Sequence, residues 1–435
     1  MSVPSVGPGF PTSTRFLKST WEGCPADIDQ SDHAQQVRMT HVDVVLFGGG
    51  AAGLWLLAEL TRQGHSALLL ESRALGTGQT ISSQGILHGG LKYTLQGLLT
   101  PAARQVREMP SVWRDCLAGT GPLDLQRTRV RSPHCFLWQT ASWSSQLGML
   151  GARIGLQVRP ESLAVADRPA LLADCPGTVA KLPEQVISPA SFLADLSRQL
   201  SDRILLIDPA RVDFRRTSVQ DSIEIRLSLL EHGELSLLPK SIVLSAGAGN
   251  AGLREQLGLA ANAMQRRPLH MVLARGTLPE FNGHCVDGAQ TRVTITSDED
   301  REGRVVWQIG GQVSEAGAKL SARELIQHTQ RELLAVLPGV KLDSMEWSTY
   351  RVDRAEGVTA TGGRPDTVQL RRDGNVFTVW PTKLVLAPQL AHEVINVLPA
   401  ATNRGLAELG APLSGWPRPP VACPPWDDPA TAWMT

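Results

Sequence analysis

Between Val42 and Phe47 the apolar residues run almost unbroken, with Asp43 the one polar position. That run has the length and the β-branched content of a strand buried on both faces. A glycine cluster follows, then Ala51–Gln63 with apolar residues at helical spacing, then a second buried strand at Ser66–Glu71. Strand, helix and strand in immediate succession make a βαβ start. Further on the rhythm shortens to two. Ile204–Asp208, Ser222–Leu229 and Glu234–Leu238 read as a meander, and Ser241–Ala246 as another buried strand. Arg292–Thr296 and Val305–Val313 alternate like antiparallel strands around a turn. Buried parallel strands early and antiparallel strands later predict an α/β fold, α+β in its second domain: a nucleotide domain carrying a second sheet. No internal repeat is visible.

The two ends lack this patterning. Residues 1–38 hold Pro, Ser, Gly and Thr without apolar period and are expected to form a disordered extension, with Met39 directly before the first strand. Residues 410–435 hold seven prolines and three tryptophans, which excludes a regular helix. A Pro-rich tail over the body is expected there.

Composition narrows the classes. The chain has 435 residues, enough for two intertwined domains at roughly 100–200 residues each. Lys plus Arg and Asp plus Glu both number 42, so no global basic field gathers nucleic acid. The six cysteines show no C-x-x-C pair and no zinc spacing with histidine, so no metal site is expected and the thiols read as reduced and mostly buried. The longest apolar run, Val44 to Leu60, contains four glycines in a turn pattern and is no membrane span. With no secretory start, a cytoplasmic protein is expected, with peripheral membrane contact left open.

The strongest local signal is Gly48-Gly49-Gly50-Ala51-Ala52-Gly53. Gly48 makes the tight turn, Gly50 lets a pyrophosphate approach the backbone, and Gly53 lets helix and strand pack closely. The helix from Ala51, with Ala52 in its first turn, aims free N–H groups at the phosphates. Glu71, with Ser72 beside it, ends the next strand, where an acidic residue accepts ribose hydroxyls. A second match, Gly247-Ala248-Gly249-Asn250-Ala251-Gly252, also follows a strand. Its spacing is that of an NAD(P) site. The helix after it is short, and no acidic residue closes the next strand.

Thr80–Tyr93 reads TISSQGILHGGLKY. It resembles the FAD-dependent glycerol-3-phosphate dehydrogenase/oxidase family, within the D-amino-acid-oxidase-like superfamily. Ser82, Ser83, His88, Gly89, Gly90, Leu91 and Tyr93 match, with Lys92 in place of arginine. The stretch is also similar to the L-2-hydroxyglutarate oxidase branch. EQVISPASFLADL, Glu184–Leu196, resembles the superfamily's strand–helix return to the FAD domain, with Glu184 where the pattern has Gly. SIVLSAGAGN at 241–250 resembles a second FAD signature, which accounts for the second glycine cluster without NAD. VWPTKLVLAP at 379–388 resembles the carboxy-terminal signature, with Pro381 and Thr382 where the family shows Gly-Gly before a Lys, here Lys383. The chain ends too soon for the helical carboxy-terminal domain common in the glycerol-3-phosphate enzymes.

The resemblance, over about residues 40 to 400, implies a Rossmann-like FAD-binding domain assembled from 40–95, 180–255 and 345–400. An antiparallel-sheet substrate domain comes from 96–179 and 256–344. It implies non-covalent FAD on Gly48, Gly50, Ala52, Gly53, Glu71, Ser72, Ser83, Gly85, Gly89, Ala246, Gly247 and Lys383. His88 and Lys383 are the candidate catalytic groups. Lys383 would face negative charge on the reduced ring. His88 would take a substrate proton, hydrogen-bond the flavin, or be a satisfied core histidine. Lys92, Tyr93 and one of Arg351 and Arg354 would bind an anionic substrate. The function implied is an FAD-dependent oxidoreductase taking hydride from a small hydroxy acid, amino acid or polyol phosphate. The electron acceptor stays open among oxygen, a quinone and a carrier. A flavin- and NAD(P)H-dependent reductase and a non-catalytic FAD-binding module are the rivals.

Overall fold

Met39–Phe47 lies at the centre of an eight-stranded sheet, because Val42 and Val44–Phe47 are apolar on both faces. The computed structural model describes residues 39–89, 101–140, 161–217, 222–229, 233–287, 290–402 and 413–435, without the side chains of 101–107. Met39–Phe47 pairs in parallel with Ala67–Glu71 on one edge and Gly233–Leu244 on the other. Ile204–Leu206 and Val376–Trp380 extend the parallel array on its two sides. Gln369–Asp373 closes one edge in antiparallel sense. The helix Ala51–Arg62 crosses over one face, and Leu54, Trp55, Leu56 and Leu57 on it are fully buried. Its packing with Trp113, Phe192 and the helix Ala387–Ile395 makes the main core.

The expected strands Glu234–Leu238 and Ser241–Ala246 are one strand, Gly233–Leu244. Its first half pairs antiparallel with Ile223–Leu229 and its second half parallel with Val376–Trp380. Pro239, which has no N–H to donate, stands where the partner on that edge changes. Two hydrogen-bonding environments within one strand gave the sequence the look of two.

The second sheet also has eight strands, in the order Glu346–Gly357, Met264–Arg275, Val305–Gly310, Gln290–Glu299, Gly283–Asp287, Cys135–Gln139, Val179–Leu182 and Glu161–Ser162. It departs from the expectation in three ways. Gly283–Asp287 and Cys135–Gln139 pair in parallel, so the sheet is mixed; these strands come from segments far apart in the chain and no hairpin sets their direction. The run Val305–Val313 is a strand only to Gly310, because Gly311 turns at φ 89° into the helix Gln312–Ala316. Val179–Leu182, at the start of the expected FAD-binding segment 180–255, and Glu346–Gly357, inside the expected segment 345–400, are strands of this second sheet. The last of these forms a ladder with Met264–Arg275 along twelve residue pairs, Met264↔Gly357 to Arg275↔Glu346.

The carboxy-terminal tail is tied down over its described length, 413–435. Trp416 Nε1 donates to Leu206 O at the edge of the first sheet. Val421 bridges Leu75, and Met434 bridges Trp347 at the edge of the second sheet. Trp426 is buried and Trp433 lies under the Arg275 guanidinium at 4.0 Å. Prolines keep this strap extended between anchors, and the tryptophans supply the anchoring area. The extension 1–38 lies outside the described residues. Among the described residues the five cysteines are free thiols, and no helix is long and apolar enough to cross a membrane.

Candidate active site

The two glycine turns leave adjacent parallel strands at the same edge of the sheet, and they touch. A Cβ on Gly48 would stand 2.4 Å from Ala246 Cα, and Gly48 turns at φ 105°. Ser245 N donates to Phe47 O at 2.8 Å, and its hydroxyl is shared between Phe47 O and Gly48 O at 3.0 and 3.1 Å. Gly53 packs the helix against the turn so closely that a Cβ there would lie 2.0 Å from Gly48 O. Gly50 differs. A Cβ there would meet only Thr80 Oγ1, at 3.2 Å, so no protein backbone fills the space before it. Gly50 caps the helix in extended backbone, and the Ala51 N–H donates to Thr80 Oγ1 at 3.1 Å. Ala52 lies buried in that first turn.

Glu71 ends its strand beside this turn. Its Oε2 accepts from Gly49 N at 2.7 Å, and its Oε1 from Ser72 N and Arg73 N at 2.8 and 2.9 Å. The second glycine turn is bound to the same structure: Asn250 Oδ1 accepts from Ala246 N at 2.8 Å, and Asn250 Nδ2 donates to Val379 O at 3.2 Å. Gly247 turns at φ 55° with Gln79 beside it. The two clusters therefore line one groove edge. These turns suit a dinucleotide: the cradle before Gly50 is one a side chain would fill, and the carboxylate stands one strand over.

The loop after Thr80 reaches the second sheet. Gln308 Nε2 and the Tyr350 hydroxyl both donate to Ser82 O at 2.9 Å. Gln84 Nε2 donates to Gln308 O at 2.9 Å, and Arg131 Nη2 to Gln84 O at 2.6 Å. Ser83 Oγ is buried without a hydrogen-bond partner among the described residues, as a group awaiting a ligand would be. Gly85, at φ 70°, packs against Ile187 O. Gln308 and Tyr350 escaped the sequence reading, although Tyr350 is one of two tyrosines in the chain. Desolvation pushes its phenol well above the usual range.

Ile86 bridges Val186, and Leu87 N donates to Gln185 O, which sets His88 and Gly89 against Glu184. Gly89 N donates to Glu184 Oε1 at 2.6 Å. His88 Nδ1 and His284 Nε2 lie 3.5 and 3.6 Å from Glu184 Oε2. Burial would raise the Glu184 pKa, but the two imidazoles beside it, His284 and His88, outweigh burial and hold the carboxyl far below its usual range. Neither Glu184 nor His284 was a sequence candidate. The one signal was Glu184 standing where the resembled pattern has glycine.

Lys383 follows the strand Val376–Trp380 and caps the turn Leu384–Leu386, which runs into the helix Ala387–Ile395. Before it, Thr382 sits at φ 61°, a left-handed conformation rare for a β-branched residue, where the resembled signature has glycine. The two candidate arginines separate. Both lie on Glu346–Gly357, where successive side chains face opposite ways. Arg354 is on the Tyr350 face and pairs with Glu315 at 2.8 Å. Arg351 is on the opposite face, donating to Ala318 O and Leu320 O at 2.8 and 2.7 Å. Lys92 and Tyr93 lie outside the described residues. A separate cavity of about 700 Å³, lined by Trp380, Leu370, Arg371 and Glu393 among others, includes none of the predicted cofactor residues.

Comparison with known proteins gives the family and the fold. The model of a family described as DAO, FAD dependent oxidoreductase, matches residues 43–379. A protein of Pseudomonas aeruginosa described as probable FAD-dependent oxidoreductase PA4991 is 38% identical over 394 residues, 88% of this chain and 97% of its own length. The crystal structure of PA4991 superposes with a TM-score of 0.74 at 33% identity, covering 89% of this chain and 98% of that one. Two more distant structures share the fold. Glycine oxidase from Geobacillus kaustophilus has a TM-score of 0.60 at 15% identity, covering 85% of this chain and 98% of its own. L-alpha-glycerophosphate oxidase from Mycoplasma pneumoniae, with FAD bound, has a TM-score of 0.56 at 14% identity, covering 83% and 95%.

Proposed function

The chain belongs to the DAO family of FAD-dependent oxidoreductases, and from that membership we propose that it oxidises a small anionic substrate, a hydroxy acid, amino acid or polyol phosphate, between the flavin and the second sheet. The observation that carries this reading is the bracing of that loop: Ser82 O takes hydrogen bonds from Gln308 and Tyr350 of the second sheet, so the sheet covers the loop that follows the phosphate turn. FAD, held without a covalent bond, supplies the two-electron acceptor when bound.

The remaining roles fall to the chain's own groups. Gly48, Gly50, Gly53 and the first turn of the helix hold the pyrophosphate, and Glu71 the ribose. Lys383 and the positive end of the helix after it would supply positive charge beside the bound flavin. His88 holds the substrate oxygen or nitrogen that gives up a proton. Arg354, on the Tyr350 face, exchanges Glu315 for the substrate's carboxylate or phosphate, which a guanidinium grips in fork geometry. The second glycine turn adjoins the first, which speaks for one nucleotide site and against a separate NAD(P) site.

The test is anaerobic bleaching of the bound flavin by a panel of hydroxy acids, amino acids and polyol phosphates, with NADH and NADPH alongside. Bleaching by an anionic member and none by the nicotinamides is expected. Rapid reduction by NADPH would replace this reading with a reductase, and no bleaching by any compound would leave a binding module.

A further inference from the structure

Three side chains far apart in the sequence converge beside the Ile86–Gly89 loop. His88 Nδ1 and His284 Nε2 lie 3.5 and 3.6 Å from one oxygen, Glu184 Oε2. One ligand atom from each of the three falls within 4.8 Å of the others. Neither separation is a good hydrogen bond, which for N–H···O lies at about 2.7–3.2 Å. Both are close to the edge of a coordination tetrahedron: four ligands about 2.0–2.1 Å from a zinc-type ion stand about 3.3–3.4 Å from one another.

Two of the three donors are prepared from behind. His284 is buried, and its Nδ1 meets Thr294 Oγ1 at 3.0 Å. With Nδ1–H donated there, the Nε2 lone pair faces Glu184, and Nε2 is buried without a hydrogen-bond partner among the described residues. Glu184 Oε1 is taken by the Gly89 N–H, which turns Oε2 toward the imidazoles. Outer contacts of this kind fix tautomer and ring orientation in metal sites. The His88 side chain is 40% exposed against 6% for the other two, so the fourth coordination position opens on the His88 side.

We propose that His88, Glu184 and His284 form a binding site for a divalent transition cation of the zinc class, with one position open to water or to an oxygen of a ligand. Two imidazoles and one carboxylate suit Zn²⁺ and its neighbours in the first row, whereas Mg²⁺ and Ca²⁺ prefer all-oxygen shells. Among the described residues the ion-pair partners of this buried carboxylate are the two histidines, with no Lys or Arg in reach. A cation between the three groups meets that buried charge. The site stands on geometry alone and does not depend on which substrate the flavin oxidises.

The experiment uses untagged, FAD-loaded protein freed of metal by chelation. It is titrated with ZnCl₂ by calorimetry and with CoCl₂ by visible absorption. One ion per chain at micromolar affinity or tighter is expected, with the intense visible bands of tetrahedral cobalt. Glu184→Gln and His284→Gln should weaken Zn²⁺ at least a hundredfold. Thr294→Val removes no ligand and threatens the fold least; it should weaken Zn²⁺ about tenfold or more. Flavin content and thermal melting report whether each variant is folded. Wild-type protein that takes up no Zn²⁺ at 100 µM overturns the proposal. So does unchanged affinity in folded Glu184→Gln, His284→Gln or Thr294→Val.

Discussion

Gly48 and Ala246 stand in backbone contact where the two glycine turns meet, with 2.4 Å between the place of a Gly48 Cβ and Ala246 Cα. Gly50, two residues on, has no such neighbour. The two glycines therefore serve different ends, and their substitutions should part. Gly48→Ala adds a methyl against backbone and forces alanine to φ 105°, so it should destabilise the fold by about 3 kcal/mol or more. Gly50→Ala keeps a backbone conformation open to any residue, so its apoprotein should melt within about 1 kcal/mol of wild type. Its FAD affinity should fall at least tenfold, because the methyl occupies the approach to the phosphates. Melting curves of the apoproteins and FAD titration read the two effects. A Gly50→Ala protein with wild-type FAD affinity would remove the phosphate role from this turn.

That division was half visible in the sequence. The spacing of Gly48, Gly50 and Gly53 between an apolar strand and an apolar helix is a local pattern, and local patterns survive into structure because neighbours along the chain impose them. The cluster of His88, Glu184 and His284 is not local. It is assembled by the Ile86–Val186 bridge and by a strand from a different segment, so no spacing rule could register it. The same holds for Tyr350 and Gln308, which meet Ser82 only once the second sheet is built. Boundaries failed where a strand of the first sheet changed partner, at Pro239, and where one of the second sheet stopped at a left-handed glycine, at Gly311.

Thr382 offers a gain in stability. Its φ of 61° costs a β-branched residue about 1–3 kcal/mol. Thr382→Gly removes that strain while adding about 0.5–1 kcal/mol of backbone entropy loss and giving up a long hydrogen bond to Thr367 O. Thr382→Asn tolerates the conformation and keeps a polar group. Both variants should be more stable than wild type, by up to about 1 kcal/mol in urea melts. A loss of stability in both would mean that the turn is not strained.

Asp43 should govern part of the acid stability. Its Oδ2 accepts from the Ser66 N–H and hydroxyl and from the Thr402 N–H and hydroxyl, while Oδ1 lies 3.1 Å from Lys240 Nζ. Burial pushes its pKa up, but these bonds outweigh burial and bring it down to about 2. A folded pKa below the unfolded one means that the unfolded state binds more protons in between. The stabilisation is therefore complete above about pH 4 and is lost as pH falls from there toward about 2. Asp43→Asn should cost about 1.5–3 kcal/mol near neutral pH, where it removes hydrogen bonds to a charged acceptor. The gap to wild type should close in melts run toward pH 2. A gap that stays constant across that window would show that Asp43 acts through shape and not charge.

Arg351 and Arg354 lie three residues apart on one strand, and the strand's alternation gives them opposite surroundings. Arg351 spends its guanidinium on Ala318 O and Leu320 O, two backbone acceptors that hold the turn after the helix Gln312–Ala316. Arg351→Met should therefore lower stability by about 1–3 kcal/mol and leave kinetics near wild type. Arg354 shares the face of Tyr350, and its partner Glu315 has a side chain that is 52% exposed. An exposed pair of this kind contributes about 1 kcal/mol or less, so a substrate anion can displace it at little cost. Arg354→Met should leave melting nearly unchanged and lower kcat/KM for an anionic substrate by about a hundredfold, with the flavin retained. Glu315→Gln supplies the control: with its competitor neutralised, Arg354 should bind the anion better and KM should fall. If Arg351→Met carries the kinetic loss, the face assignment is reversed. If neither arginine does, or if the best substrate is neutral, the anion must be held elsewhere in the cleft.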